Sequence, residues 1–102
     1  MRHAIRFDEG TNDHLASLTA RQRAAIFDAI ERQLLHEPTV ETRNRKRMHP
    51  DKPGFVAPWE LRVGDLRVYY DVETGPPPAV VIVAVGLKVS HRIRIGGEEY
   101  EG

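Results

Sequence analysis

"APWELRVGDLRVYYDV", residues Ala57 to Val72, alternates apolar and polar residues on both sides of a Gly64-Asp65 pair. Gly-Asp between two such runs is the signature of a two-residue type II′ β-hairpin. That turn sets Val63 against Leu66, Leu61 against Val68 and Trp59 against Tyr70, an apolar face that needs a core. On the opposite face Arg62 meets Arg67. Like charges directly opposite across a strand pair are unfavourable. The pair is therefore expected to cost stability in the isolated chain and to await an anionic partner.

Working outward, "HAIRF" (His3–Phe7) reads as a short first strand, and "NDHLASL" as a short helix capped by Asn12 or Asp13. Thr19 with Gln22 forms a capping box. It opens a second helix from about Ala20 to His36 whose stripe is Ala20, Ala24, Phe27, Ile30 and Leu34, widened by Ile26 and Leu35. Glu37-Pro38 ends it, since the residue before proline disfavours the helical region. "RNRKRMHPDKPGF" (Arg43–Phe55) reads as a basic loop and "TGPPP" as a stiff turn. "AVVIVAVGL" (Ala79–Leu87) is apolar throughout, hence a central strand buried on both faces. "HRIRI" (His91–Ile95) reads as a last strand before a polar tail. The expected fold is one α+β domain over residues 1–102. A short N-terminal strand and an antiparallel helical hairpin pack on one face of a mostly antiparallel sheet of about four strands.

The chain has 102 residues, no cysteine and a formal net charge of zero. No disulfide framework or thiolate metal site is possible. No apolar run reaches the ~20 residues of a membrane span, and the N-terminus lacks the apolar stretch of a signal peptide. A cytoplasmic protein without membrane association is expected. The charge is uneven: residues 42–94 carry ten Lys/Arg against five Asp/Glu, whereas residues 1–41 and the tail are acidic. That distribution allows a local basic face. The five histidines show no i,i+4 pair, so neither a metal site nor any other cofactor is expected.

The hairpin must turn Arg62 and Arg67 away from the helices. Lys88 ends the neighbouring strand, and His91, Arg92 and Arg94 follow it. Guanidinium forks suit phosphate oxygens. Arg62, Arg67, Lys88 and His91 are thus candidate catalytic residues. Arg45, Lys46, Arg47, Tyr69, Arg92 and Arg94 are candidate nucleic-acid contacts, with Tyr69 able to stack on a base or to cover arginine stems.

The "LRVGDLRVYYDV" hairpin followed by "VGLK", after a helical segment ending "LLHEP" and a basic loop, resembles the RelE/ParE family of bacterial toxins over residues 3–95. The resemblance implies a toxin silenced by a cognate antitoxin in a hetero-oligomer. It implies, in the RNA-cleaving branch, a metal-independent, ribosome-dependent mRNA endoribonuclease that inhibits translation. Arg62 then matches an RNA-contacting position, Arg67 the arginine of the family's G-x-x-R stretch that stabilises phosphate, and Lys88 a basic position after the central strand's glycine. The chain departs from that branch at Glu60, where another basic residue is common, and near its end, where an aromatic acid/base is common and this chain has Arg94, with Tyr100 coming late on an acidic tail. His91 or Tyr69 are the candidate proton carriers. The alternatives are a ParE-like inhibitor of DNA gyrase without nuclease activity and an inactive antitoxin-binding homologue.

Overall fold

The computed structural model describes residues 2–48 and 57–101. In chain order it forms β1 (Ala4–Phe7), α1 (Thr11–Ala16), α2 (Ala20–Gln33), β2 (Arg45–Arg47), β3 (Trp59–Val63), β4 (Leu66–Glu73), β5 (Ala79–Val89), β6 (Arg92–Ile95) and β7 (Glu98–Glu101). The sheet runs β2-β3-β4-β5-β6-β7, with β1 added alongside β5.

The β3–β4 hairpin has the expected register, Trp59 against Tyr70 through Val63 against Leu66, with Arg62 facing Arg67. Gly64 takes φ +60 at the first turn position, which a type II′ turn requires and a side chain resists. β5 is the spine and is buried on both faces along most of its length. One edge pairs with β4. The other is divided: residues 79–82 pair in parallel with β1, and residues 87–89 pair antiparallel with β6.

An antiparallel helical hairpin on about four strands is not what the chain forms. Among the described residues the sheet has seven strands and the helices do not act as a pair. α1 has six residues, less than two turns, and packs on β5, whereas α2 packs on β3 and β4. Two segments read as loop or tail are strands. Arg45–Arg47 pairs with Leu61–Trp59, completing the hairpin's free edge. Glu98–Glu101 pairs back on β6 because Gly96 and Gly97 both take positive φ, 58 and 90, as a tight turn of the I′ class needs. Residues 49–56, which include the rest of the basic segment, lie outside the described residues.

Helix details also differ. The residue before α1 is Gly10 rather than Asn12 or Asp13, and Thr11 is fully buried with its hydroxyl donating to the Asp8 carbonyl. The Thr19–Gln22 capping box forms, at 3.1 and 2.9 Å. α2 ends at Gln33, and its buried face is Ile26, Ala29 and Ile30, continued by Leu34. Ala24 and Phe27 are exposed, and Phe27 meets the half-exposed Phe7 of β1 edge to face at 5.9 Å.

The main core lies between α2 and the sheet, where Ile26, Ile30 and Leu34 meet Trp59, Leu61, Val68, Tyr70 and Ile82. A second, smaller cluster lies on the other side of the sheet and joins Tyr69 and Ala84 to Ile93, Ile95 and Ala57. β6 bends over that side at Gly86, where an added Cβ would sit 2.8 Å from Ile95 Cγ1 and 2.9 Å from the Arg94 carbonyl oxygen. No helix among the described residues is long and apolar enough to cross a membrane.

Candidate functional site

Cross-strand partners share a face, so the register places Lys46, Glu60, Arg62, Arg67, Tyr69 and Lys88 on the side of the sheet away from α2. Arg67 pairs with Gly86, and alternation puts Lys88 two residues along β5 on that same face. The Lys88 amide donates to the Asp65 carbonyl at 2.7 Å, tying the end of β5 to the β3–β4 turn. Arg62, Arg67 and Lys88 therefore gather at the turn end of one face.

The two arginines do not confront each other. Arg62 Nε donates to Glu60 Oε1 at 2.9 Å. Arg67 bends back under the turn, and its Nη1 donates to the Gly64 and Leu66 carbonyls at 2.7 and 2.9 Å. It is 7% exposed, so the expectation of an exposed, mutually repelling pair is corrected. Each guanidinium has a partner within the chain, and Arg62 alone of the two remains at the surface, its side chain 47% exposed.

Glu60 is the acidic member of this face, expected from the alternation only to neutralise part of the charge. It is buried beneath Arg62 and also accepts a hydrogen bond from the Tyr69 hydroxyl. Burial, then the neighbouring Glu60 carboxylate and that hydrogen bond, push the Tyr69 phenol well above its ordinary range, against a smaller opposing pull from Arg67 and Arg62. Tyr69 is 1% exposed and stays protonated at neutral pH, so it neither stacks on a base nor accepts a proton. A carboxylate alternating in phase with two arginines was the signal for Glu60, and it reads as a departure when the family pattern is the guide.

The remaining expected residues divide. Lys46 is exposed on the arginine face, across from Glu60. Arg45 and Arg47 point to the opposite face. Arg45 Nη1 donates to the Gln33 carbonyl at the end of α2, at 2.5 Å, and its Nε is buried without a hydrogen-bond partner in the described structure. Its neighbour Tyr70 donates to the Pro38 carbonyl, so both side chains tie the end of α2 and the following loop to the sheet. The Arg47 guanidinium lies over the Trp59 ring at 5.7 Å. Arg92 and Arg94, placed by register with Val89 and Leu87, are also on the opposite face, and both reach Glu99, at 3.2 and 3.5 Å. They do not rim the site. His91 is exposed in the β5–β6 turn that follows Lys88.

No protein-family model matches the chain, and no curated protein matches it closely enough to lend it an activity.

Proposed function

We propose that this protein is a RelE/ParE-like toxin of a type II toxin–antitoxin pair and that it inhibits translation in the cytoplasm by cleaving mRNA on the ribosome. The observation that carries this reading is the gathering of Arg62, Arg67 and Lys88 on one sheet face beside the β3–β4 turn. In that reading the exposed Arg62 and Lys88 hold phosphoryl oxygens. Arg67 contributes its charge from beneath the surface while bracing the turn. The ribose 2′-hydroxyl gives up its proton to solvent water as its oxygen attacks the adjacent phosphorus, the bond to the 5′-oxygen breaks to leave a 2′,3′-cyclic phosphate, and the departing 5′-oxygen takes up a proton. His91, exposed in the β5–β6 turn three residues after Lys88, is the carrier best placed by the chain to supply it. The charge that develops on the phosphoryl group is stabilised by fixed cations. A cognate antitoxin would cover the protein in a hetero-oligomer. Expression without antitoxin should arrest bacterial growth, and primer extension on translated messages should show new 5′ ends.

One observation favours a second reading, a ParE-like gyrase inhibitor or an inactive antitoxin-binding homologue. Tyr69 is sealed beneath the surface, and His91 sits in a turn with no group orienting its ring in the described structure. Intact messages with arrested gyrase supercoiling would select the gyrase reading, and unimpaired growth with folded protein the inactive one.

A further inference from the structure

Glu60 stands where an anion-binding face should least want it, since a carboxylate opposes an approaching phosphate. Its surroundings give it another use. The residue is 7% exposed, and its carboxylate accepts Arg62 Nε–H at 2.9 Å and the hydroxyl of Tyr69, its cross-strand partner. Tyr69 is itself locked in the second apolar cluster with Ala84, Ile93 and Ile95. The carboxylate is therefore anchored through Tyr69 to the rigid middle of the sheet. A guanidinium held at Nε has its plane fixed and presents its Nη1–Nη2 edge to solvent, the edge that matches two oxygens of one phosphate. Side-chain exposure agrees with that orientation, 47% for Arg62 against 10% for Glu60. Among the described residues Glu60 is the side-chain partner that holds Arg62, and without it the guanidinium is free to take other orientations.

We propose that Glu60 is a positioning residue: seated by Tyr69, it aims the guanidinium of Arg62 outward as a bidentate receptor for an RNA phosphate. This rests on the RNA-directed reading above.

The test is a cell-free translation system, scored by the protein dose that halves product formation and by primer extension on the message. Glu60→Ala removes the acceptor and should raise that dose about tenfold, the size typical of losing an outer-shell partner. Glu60→Gln keeps an acceptor oxygen for Nε and should recover most of the loss. Tyr69→Phe/Glu60→Ala removes the orphaned hydroxyl as well and should behave as Glu60→Ala, with thermal melts confirming the fold. Independently of any variant, the Arg62 Nε–H proton of the wild-type protein should exchange with solvent more slowly than that of the exposed Arg43. Glu60→Ala as potent as wild type, Glu60→Gln as impaired as Glu60→Ala, or an unprotected Arg62 Nε–H each overturns the positioning role. Arg62→Gln separates the two levels. If it inhibits as well as wild type, the RNA-directed reading itself fails. If it is impaired while Glu60→Ala is not, only the role of Glu60 fails.

Discussion

Arg62 and Arg67 stand opposite each other across the β3–β4 ladder, yet each turns its charge to a different partner. Pairing rules alone make the removal of one neutral or slightly favourable, because like charges repel across strands. The geometry reverses the sign for Arg67. Its guanidinium is buried and holds two carbonyls of its own turn, at 2.7 and 2.9 Å. Hydrogen bonds from a charged donor contribute more than neutral ones, although the exposed Gly64 end of the turn can be rehydrated. Arg67→Gln is expected to destabilise the fold by about 1–2 kcal/mol, read as a lower urea midpoint at unchanged slope. A higher midpoint would restore the repulsion account. The alternation of 57–72 was enough to put both arginines on one face, because a period of two fixes sidedness. It could not say where the guanidiniums point, because a long side chain reaches backbone carbonyls that a pattern of residue types does not show.

Among the elements, β6 and β7 depend on a residue that has no side chain. Gly86 lets β6 bend over the sheet and bring Ile93 and Ile95 onto Tyr69 and Ala84. Gly86→Ala sets a Cβ against both isoleucines and the Arg94 backbone, which cannot rotate away. A cost of about 1–3 kcal/mol follows from overpacking, and hydrogen exchange should quicken in residues 92–101 before it does in β3 and β4. Equal protection of that hairpin in the variant would contradict the packing. α1 has an analogous anchor. β5 changes partner between β1 and β6, and in that gap His14 Nδ1 accepts the Val85 amide at 3.3 Å while its ring lies against Gly96. Burial lowers the His14 pKa below 6.5, only partly offset by Asp13. Between the lowered folded value and 6.5 the unfolded chain binds more protons, so stability is full above about pH 6.5 and falls as the pH drops through that window. A protonated Nδ1 also cannot accept the Val85 amide. Urea midpoints measured from neutral to acidic pH should fall in wild type, and His14→Leu should flatten the part of that fall due to this ring. An unchanged profile in the variant would remove His14 as its source. Gly96-Gly97 is the turn signal of this last hairpin, but the polar run that follows it lacks the apolar alternation that marks a strand. The short β2 was hidden because three consecutive basic residues do not alternate in hydropathy.

For the whole molecule, the long apolar β5 and the β3–β4 hairpin were legible because burial on both faces and period-two alternation are strong local signals. The helix layer was less so. The sequence stripe on α2 runs through Ala24 and Phe27, while the sheet selects Ile26, Ala29 and Ile30, a choice made by tertiary packing. Of the expected site, Arg62, Arg67 and Lys88 share a face. Arg45, Arg47, Arg92 and Arg94 lie on the other, since sidedness in β2 and β6 depends on pairings that the chain order does not reveal. The functional claim therefore narrows to the exposed cations of one face. Arg62→Gln/Lys88→Gln leaves Arg67, Tyr69 and the turn in place and removes the two exposed cations, Arg62 taking with it the charge that pairs with Glu60, so a thermal melt checks that the variant is folded. The decisive measurement is primer extension on translated messages after induction of the wild-type and doubly substituted proteins at equal soluble levels. The account predicts new 5′ ends with wild type, reduced on the order of 10²–10³-fold or more in the variant, the loss typical of one transition-state charge contact. Undiminished cleavage by the variant, or messages left intact by a wild-type protein that still arrests growth, would contradict it.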